Sequence, residues 1–155
     1  MRLHICAVGR LRAGPEQTLV DDYLTRFDRT GRALGLGPAK VIEVEAKKGG
    51  QQTEAEMLRK AIPKGAVICG MDERGKVSTS PEFSQRLAKW RDTGCQDVAF
   101  VIGGADGIAP DMRGEADHLL SFGKMVWPHM LARVMLCEQL YRAASILGGA
   151  PYHRE

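Results

Sequence analysis

The sequence predicts a single-domain α/β protein built on a mainly parallel sheet with helices on both faces. Three observations lead there. Short apolar runs alternate along the chain with longer stretches of helical periodicity, the pattern of βαβ units. Two of those runs, residues 66–71 and 98–102, are apolar on both faces, as a strand is when both of its faces are covered. The chain has 155 residues, enough for one domain with a sizeable core and too few for two comfortable ones.

Each element can be justified in turn. Residues 3–8 make the first strand. A loop with Arg10 and Arg12 follows, and Pro15 opens a helix because its fixed φ and missing N–H suit the first turn. Leu19, Val20, Tyr23, Leu24 and Phe27 give that helix an apolar stripe. Gly31, Gly35 and Gly37 turn the chain into a second strand, residues 40–44. Lys47-Lys48-Gly49-Gly50 is a basic loop, and Thr53 with Glu56 has capping-box spacing. Met57, Leu58, Ala61 and Ile62 follow on a helix that Pro63 and Gly65 end. Residues 66–71 form the third strand, and Asp72-Glu-Arg-Gly75 turns the chain. Ser80-Pro81-Glu82 starts a helix with a hydroxyl cap, an early proline and an acid at the positive dipole end. Phe83, Leu87 and Trp90 are its buried stripe, and Gly94 stops it. The strand at 98–102 runs into Gly103-Gly104-Ala105-Asp106-Gly107, and Pro110 begins a short helix. The segment 122–127 reads as a short fifth strand, and the last helix covers about 130–147. No internal repeat, low-complexity tract or linker interrupts this order.

Composition excludes several classes. Hydrophobic residues are 44% and charged ones 26%, ordinary for a globular protein. The net charge of +3 is mildly basic, which fits a nucleic-acid partner without demanding one. No stretch approaches the roughly 18 apolar residues of a membrane span, and the N-terminus lacks a signal-peptide pattern. The cysteines at 6, 69, 95 and 137 form no CxxC pair, so no metal site is predicted, and reduced thiols in the cytoplasm are expected. His4, His118 and Trp90 read as structural.

Two features point to function. An apolar strand feeding a loop with three glycines in five residues, then a helix, is how α/β sheets make ligand crevices at strand carboxyl ends. The last helix is apolar on nearly every side, with Leu131, Val134, Met135, Leu136, Leu140, Tyr141, Ala144, Ile146 and Leu147. That predicts burial all round and hence a homodimer interface. Among its few polar residues, Glu138 and Arg142 have ion-pair spacing or serve a site. Arg133 is the other.

The glycine loop, Trp127-Pro-His129, Glu138-Gln-Leu-Tyr-Arg-Ala143 and the terminal Pro151-Tyr-His-Arg-Glu155, taken in order over the whole chain, carry a specific likeness. The sequence resembles the family of ribosomal RNA large subunit methyltransferase H (RlmH, the YbeA-like group) in the SPOUT superfamily. The resemblance implies an α/β knot, a parallel sheet whose C-terminal part is threaded as a trefoil knot, against the general rule that folds are unknotted. It implies a homodimer that uses S-adenosylmethionine to methylate N3 of a pseudouridine in 23S rRNA, in stem-loop helix 69. It places the cofactor at Met71, at Gly103 and Gly104, and along Phe122, Gly123, Lys124, Met125, Val126 and Trp127. In two places the chain departs from common family residues: Ala105-Asp106 stands for Pro-Glu, and Phe122-Gly123 for Leu-Ser or Phe-Ser.

Methyl transfer from a sulfonium is an in-line displacement, so positioning dominates. The imide N3–H must lose its proton, which a group near neutrality can take, and a cation can stabilise charge on the base carbonyls. His129 and His153 are the candidate bases. Arg133, Arg142 and Arg154 are the candidate cations. Tyr152 beside Arg154 suits stacking on an unpaired RNA base. For His129 a purely local role at the helix start remains open, as does fraying for the tail. In the family the tail reaches the active site across the dimer interface. Arg10, Arg12, Lys47 and Lys48 are solvated charges or phosphate contacts. The assembled ribosome is the expected partner, because a charge of +3 is small for gripping a large RNA. A non-catalytic RNA-binding protein and a generic nucleotide-binding module are the rivals. The second is weak because the loop lacks GK[ST] and G-x-G-x-x-G.

Overall fold

The computed structural model describes residues 1–154. Strand β1, Arg2–Val8, shows why the sheet has helices on both sides. Its Leu3, Ile5 and Ala7 pack into one apolar cluster, while Cys6 and Val8 pack into another. Strand β4, Asp97–Ile102, alternates likewise, with Val98, Phe100 and Ile102 on one side and Ala99 and Val101 on the other. Strands β2 (Ala39–Val44), β3 (Val67–Val77) and β5 (His118–Ser121) complete a sheet of order β2-β1-β4-β3-β5 in which every pairing is parallel.

Helices α1 (Pro15–Gly31), α3 (Ser80–Asp92) and α5 (His129–Leu147) cover one face through Val20, Phe27, Phe83, Leu87 and Leu136. Helices α2 (Gly50–Ala61) and α4 (Pro110–Glu115) cover the other through Ala55, Leu58 and Met112. No helix among the described residues is long and apolar enough to cross a membrane. Arg2 and His4 both bond Asp97, at 2.8 Å each, which ties β1 to the start of β4 and gives His4 its partner.

Several expectations need correction. Leu19 falls off the buried stripe of α1 and lies exposed. Helix α2 starts earlier than the Thr53–Glu56 spacing implied. Gly49 caps it with φ +109°, and the Thr53 hydroxyl donates back to the Gly49 carbonyl. The capping box at α3 belongs to Thr79 and Glu82, one residue before Ser80. Ser80 instead donates to Gln139 on α5.

Two corrections move strands. Asp72 to Gly75 is no turn. The chain continues through β3, and the register against β5 shifts between Met71 and Lys76, both of which pair with Leu120. At Gly75 any Cβ would lie 2.7 Å from the Leu119 backbone, so the excursion hugs β5. The fifth strand is His118–Ser121, and the segment 122–127 is a loop. Its apolar residues imitated a strand because they face a cavity and the surface rather than a sheet.

Helix α5 lies between α1 and α3. Leu136, Cys137, Leu140, Ala143 and Ala144 have no exposed surface. The apolar surround of this helix is therefore largely satisfied inside one chain and does not by itself require a partner. Burial pushes the Cys6 thiol up to about 11 and those of Cys69 and Cys137 up to about 12. Native alkylation with iodoacetamide at mild pH should therefore modify the half-buried Cys95 alone, since the thiolate is the reactive form. Mass spectrometry showing label on Cys6, Cys69 or Cys137 before unfolding would contradict this core.

Candidate functional site

A cavity of about 610 Å³ opens at the carboxyl ends of β3, β4 and β5. That end is where open α/β sheets bind ligands, and the volume is in the range of small-molecule sites, about 300–1,000 Å³. Three chain segments wall it. Met71 and the Asp72–Arg74 excursion come from β3, the glycine loop 103–107 from β4, and Phe122, Gly123, Met125, Val126, Trp127 and Pro128 from the return toward α5.

The glycine loop is built for close approach. A Cβ on Gly103 would lie 2.4–2.7 Å from the backbone of Gly107 and Ile108, so two backbone strands touch where Gly103 turns. Gly107 N–H donates to Gly104 O at 2.9 Å and closes the loop. Gln51 on α2 holds it from outside, its amide donating to Asp106 O at 2.6 Å. A Cβ on Gly104 would meet Glu54 Oε1 at 3.1 Å, so the Glu54 carboxylate backs the loop. Burial, with Asp106 second, raises the Glu54 pKa, and His129 opposes that shift.

The return segment turns at Gly123, whose φ of +114° favours glycine. Ser121 fixes that turn by donating to Gly123 O at 2.9 Å and accepting its N–H at 3.1 Å. Met125 and Val126 are 74% and 80% exposed, and Trp127 is also open to solvent. Contiguous apolar residues on a surface mark a covered face or a ligand wall.

The predicted residues divide into two groups. Met71, Gly103, Gly104, Phe122, Gly123, Met125, Val126, Trp127 and His129 all line the cavity. Lys124 is exposed and does not line it. Arg133, Arg142, Tyr152, His153 and Arg154 are also outside the lining. Arg133 is wholly buried and bonds Glu43 Oε2 at 2.8 Å and Gly9 O at 2.9 Å. Glu43 Oε2 also accepts Leu11 N–H at 2.6 Å, so Arg133 pins α5 to the loop after β1.

Tyr152 and His153 of the tail are folded onto α5. Tyr152 donates to Glu138 Oε1 at 3.0 Å, and its ring lies 4.6 Å from that of Tyr141. The Arg142 guanidinium sits 4.8 Å over the Tyr152 ring, bonds Glu138, and reaches His153 Nδ1 at 3.2 Å. Burial and the Glu138 hydrogen bond push the Tyr152 hydroxyl well above its ordinary pKa. The ion-pair reading of Glu138 and Arg142 is thus observed. Glu155 lies outside the described residues.

Sequence reasoning missed Asp72, Glu73, Arg74 and Glu54. The first three looked like a turn. Glu54 sits on a helix face that carries no motif, and only packing brings it to Gly104.

A family model described as predicted SPOUT methyltransferase matches residues 1–153. The chain belongs to the SPOUT methyltransferase family. Among curated relatives, ribosomal RNA large subunit methyltransferase H of Ruegeria sp. (strain TM1040) is 72% identical over 155 residues, covering 99% of each chain. The protein of that name from Cereibacter sphaeroides (strain ATCC 17025 / ATH 2.4.3) is 62% identical over the same span. Among solved structures, a probable methylase family protein from Haemophilus influenzae Rd KW20 superposes with a TM-score of 0.54 at 12% identity. That match covers 99% of this chain and 70% of the other, and it supports the fold alone.

SPOUT methyltransferases use S-adenosylmethionine, and the cavity fits it. Gly103 has no room for a side chain beside Gly107 and Ile108, so the loop presents bare backbone to the cavity. Met71, Leu120, Phe122 and Val126 offer an apolar wall for an adenine, and Glu73 and Asp106 offer carboxylates to a cationic ligand, whereas the Asp72 carboxylate is taken up by Arg74 and Arg113.

Proposed function

We propose that this SPOUT methyltransferase methylates N3 of a pseudouridine in stem-loop helix 69 of 23S rRNA, on the assembled ribosome in the cytoplasm, and that it does so as a homodimer. The relatives' shared name supports ribosomal RNA of the large subunit as the substrate. The observation that carries the dimer is the separation of two half-sites. The cavity holds the donor residues but none of the tail, while Arg142, Tyr152 and His153 are already bonded together elsewhere on the same chain. The exposed Met125, Val126 and Trp127 at the cavity mouth give the second subunit an apolar seat. On this reading the tail of one subunit closes the cavity of the other, and the chain between β5 and α5 is the threaded part of a trefoil knot.

S-adenosylmethionine supplies a methyl group activated on its sulfonium. The residues here do the rest. Gly103, Gly104 and Met71 orient the donor in line with N3. Tyr152 of the tail stacks on the base, and Arg142 with Arg154 stabilises negative charge on its carbonyls. His129, at the cavity rim, or His153, beside Arg142, takes the N3 proton. Arg133 holds the His129 end of α5 in place.

Mapping modified nucleotides in 23S rRNA from cells with and without this protein tests the reading. Loss of one N3-methylpseudouridine on deletion is expected; an unchanged map with intact ribosome binding would leave a non-catalytic RNA-binding protein. A second expectation concerns the tail. Tyr152→Ala and His153→Ala should each slow single-turnover methylation by about 10²-fold, the scale of one acid–base or positioning contact, without changing donor affinity. Mixed dimers of a Tyr152→Ala chain with a Gly103→Ala chain should regain up to half of one site's activity. No recovery in such mixtures would argue against a shared site.

A further inference from the structure

A second concavity, of about 220 Å³, lies beside the donor cavity. Leu120 lines both, so one side chain separates them. Strand β3 serves both as well: Arg74 borders the first, and Lys76, with Ser78 just past the strand's end, borders the second. Nothing in the methylation reading uses this second space.

Its charge is one-sided. Lys76 from β3 and Arg86 and Lys89 from α3 surround it, together with His118 at the start of β5. None of these three cations forms a salt bridge among the described residues. The one carboxylate in the lining, Glu82, accepts the Thr79 N–H in the α3 capping box. The neighbouring Asp117 carboxylate accepts Ile68 N–H at 2.8 Å and is likewise engaged. The Arg86 guanidinium lies 6.0 Å from the Trp90 ring centre, which limits its freedom to swing into solvent. Trp90 in turn packs edge-on against the His118 ring at 6.1 Å. Burial first, then Arg86 and Lys76, depresses the His118 pKa, as a cation-rich concavity should.

Three cations against the single Glu82 carboxylate leave a net positive charge, and an anion between them relieves the remaining repulsion. Arginine and lysine with a nearby hydroxyl are the donors that recognise phosphate. We infer that Lys76, Arg86, Lys89 and His118 form a phosphate subsite that takes a backbone phosphate of the substrate RNA beside the base being methylated. The inference rests on the RNA-methyltransferase reading above and adds a specificity element to it. One phosphate held a side chain's thickness from the donor cavity fixes which nucleotide reaches the methyl group.

His118 is its own reporter. In the full-length protein, NMR titration of its ring is followed alone, with inorganic phosphate, and with a stem-loop RNA of the substrate sequence. The RNA should raise the His118 pKa, because a bound phosphate offsets Arg86 and Lys76. Arg86→Gln combined with Lys89→Gln should remove that response and raise KM for ribosomes about tenfold. It should also reduce the slope of log affinity against log salt by about one, with kcat and donor affinity by calorimetry unchanged. Lys89→Glu, an exposed charge reversal, guards against misfolding of the double variant and should raise KM in the same direction. A His118 response to inorganic phosphate but not to RNA would show a free-anion site and overturn the inference. So would an unchanged KM and salt slope in both variants. If the RNA shifts His118 through Arg86 and Lys89 but the wild-type protein methylates nothing, the subsite stands and the catalytic reading falls.

Discussion

Gly103→Ala abolishes useful donor binding, while Gly104→Ala next to it is tolerated. The two glycines look alike in sequence and differ in what a methyl group would strike. At Gly103 the added carbon lies 2.4 Å from Gly107 C and 2.5 Å from its carbonyl oxygen, both backbone. The loop must open for the methyl to fit, and overpacking of that kind costs about 1–3 kcal/mol or more. If the loop opens where the donor sits, the upper figure corresponds to a loss of donor affinity of about 100-fold. At Gly104 the obstacles are the Glu54 carboxylate at 3.1 Å, the far end of a flexible side chain, and Val8 Cγ1 at 3.1 Å. Glu54 can swing away and Val8 need give by only a few tenths of an ångström, so donor affinity should change by no more than about threefold, a cost below about 1 kcal/mol. Calorimetry with S-adenosylmethionine on both variants is decisive; equal losses would mean that loop contact with the donor, not backbone crowding at Gly103, sets affinity.

Arg133→Met unfolds the protein at a temperature lower by roughly 10 °C, the scale for about 3–5 kcal/mol in a chain of this size. The guanidinium has 1% of its side chain exposed and bonds Glu43, Val8 O and Gly9 O. Removing it strands two carbonyls in the interior and leaves Glu43 with only the Leu11 N–H. Glu43 keeps 30% of its side chain in contact with solvent, so water softens part of the loss and the lower figure is the better guide. Arg133→Met with Glu43→Leu should recover part of it, because neither charge is then left alone. Scanning calorimetry gives the stabilities, and single-turnover kinetics below the melting transition give the role. A folded Arg133→Met enzyme with normal donor affinity and kcat would make this arginine purely structural. A drop in kcat with unaltered KM would mean that its grip on α5 sets the position of His129.

Much of the fold was legible in the residues. Residues 98–102 are apolar at every position, and only a strand covered on both faces tolerates that. Proline at positions 15, 81 and 110 marked three helix starts because its backbone already has helical φ. The cavity's glycines were legible for the same local reason. Errors came where a local pattern had two solutions. Thr53 and Glu56 have the spacing of a cap, but Gly49 with positive φ lets the helix begin a turn earlier. The run from Phe122 to Trp127 is apolar like a strand, but it crosses the ends of three strands instead of joining them. Asp72-Glu-Arg-Gly75 is polar like a turn, but the chain bulges there and pairs again with β5.

The sequence by itself determined the fold class, the family and the glycine loop, because these depend on periodicity, on backbone freedom and on motifs carried in order. Only the tertiary structure decided which polar residues meet. Arg133 and Glu43 are far apart in sequence and bond directly, Glu54 comes to stand behind Gly104, and Lys76, Arg86 and His118 converge from three different elements. A side chain's partners are set by how helices and strands pack across the sheet, and no local pattern encodes that distance.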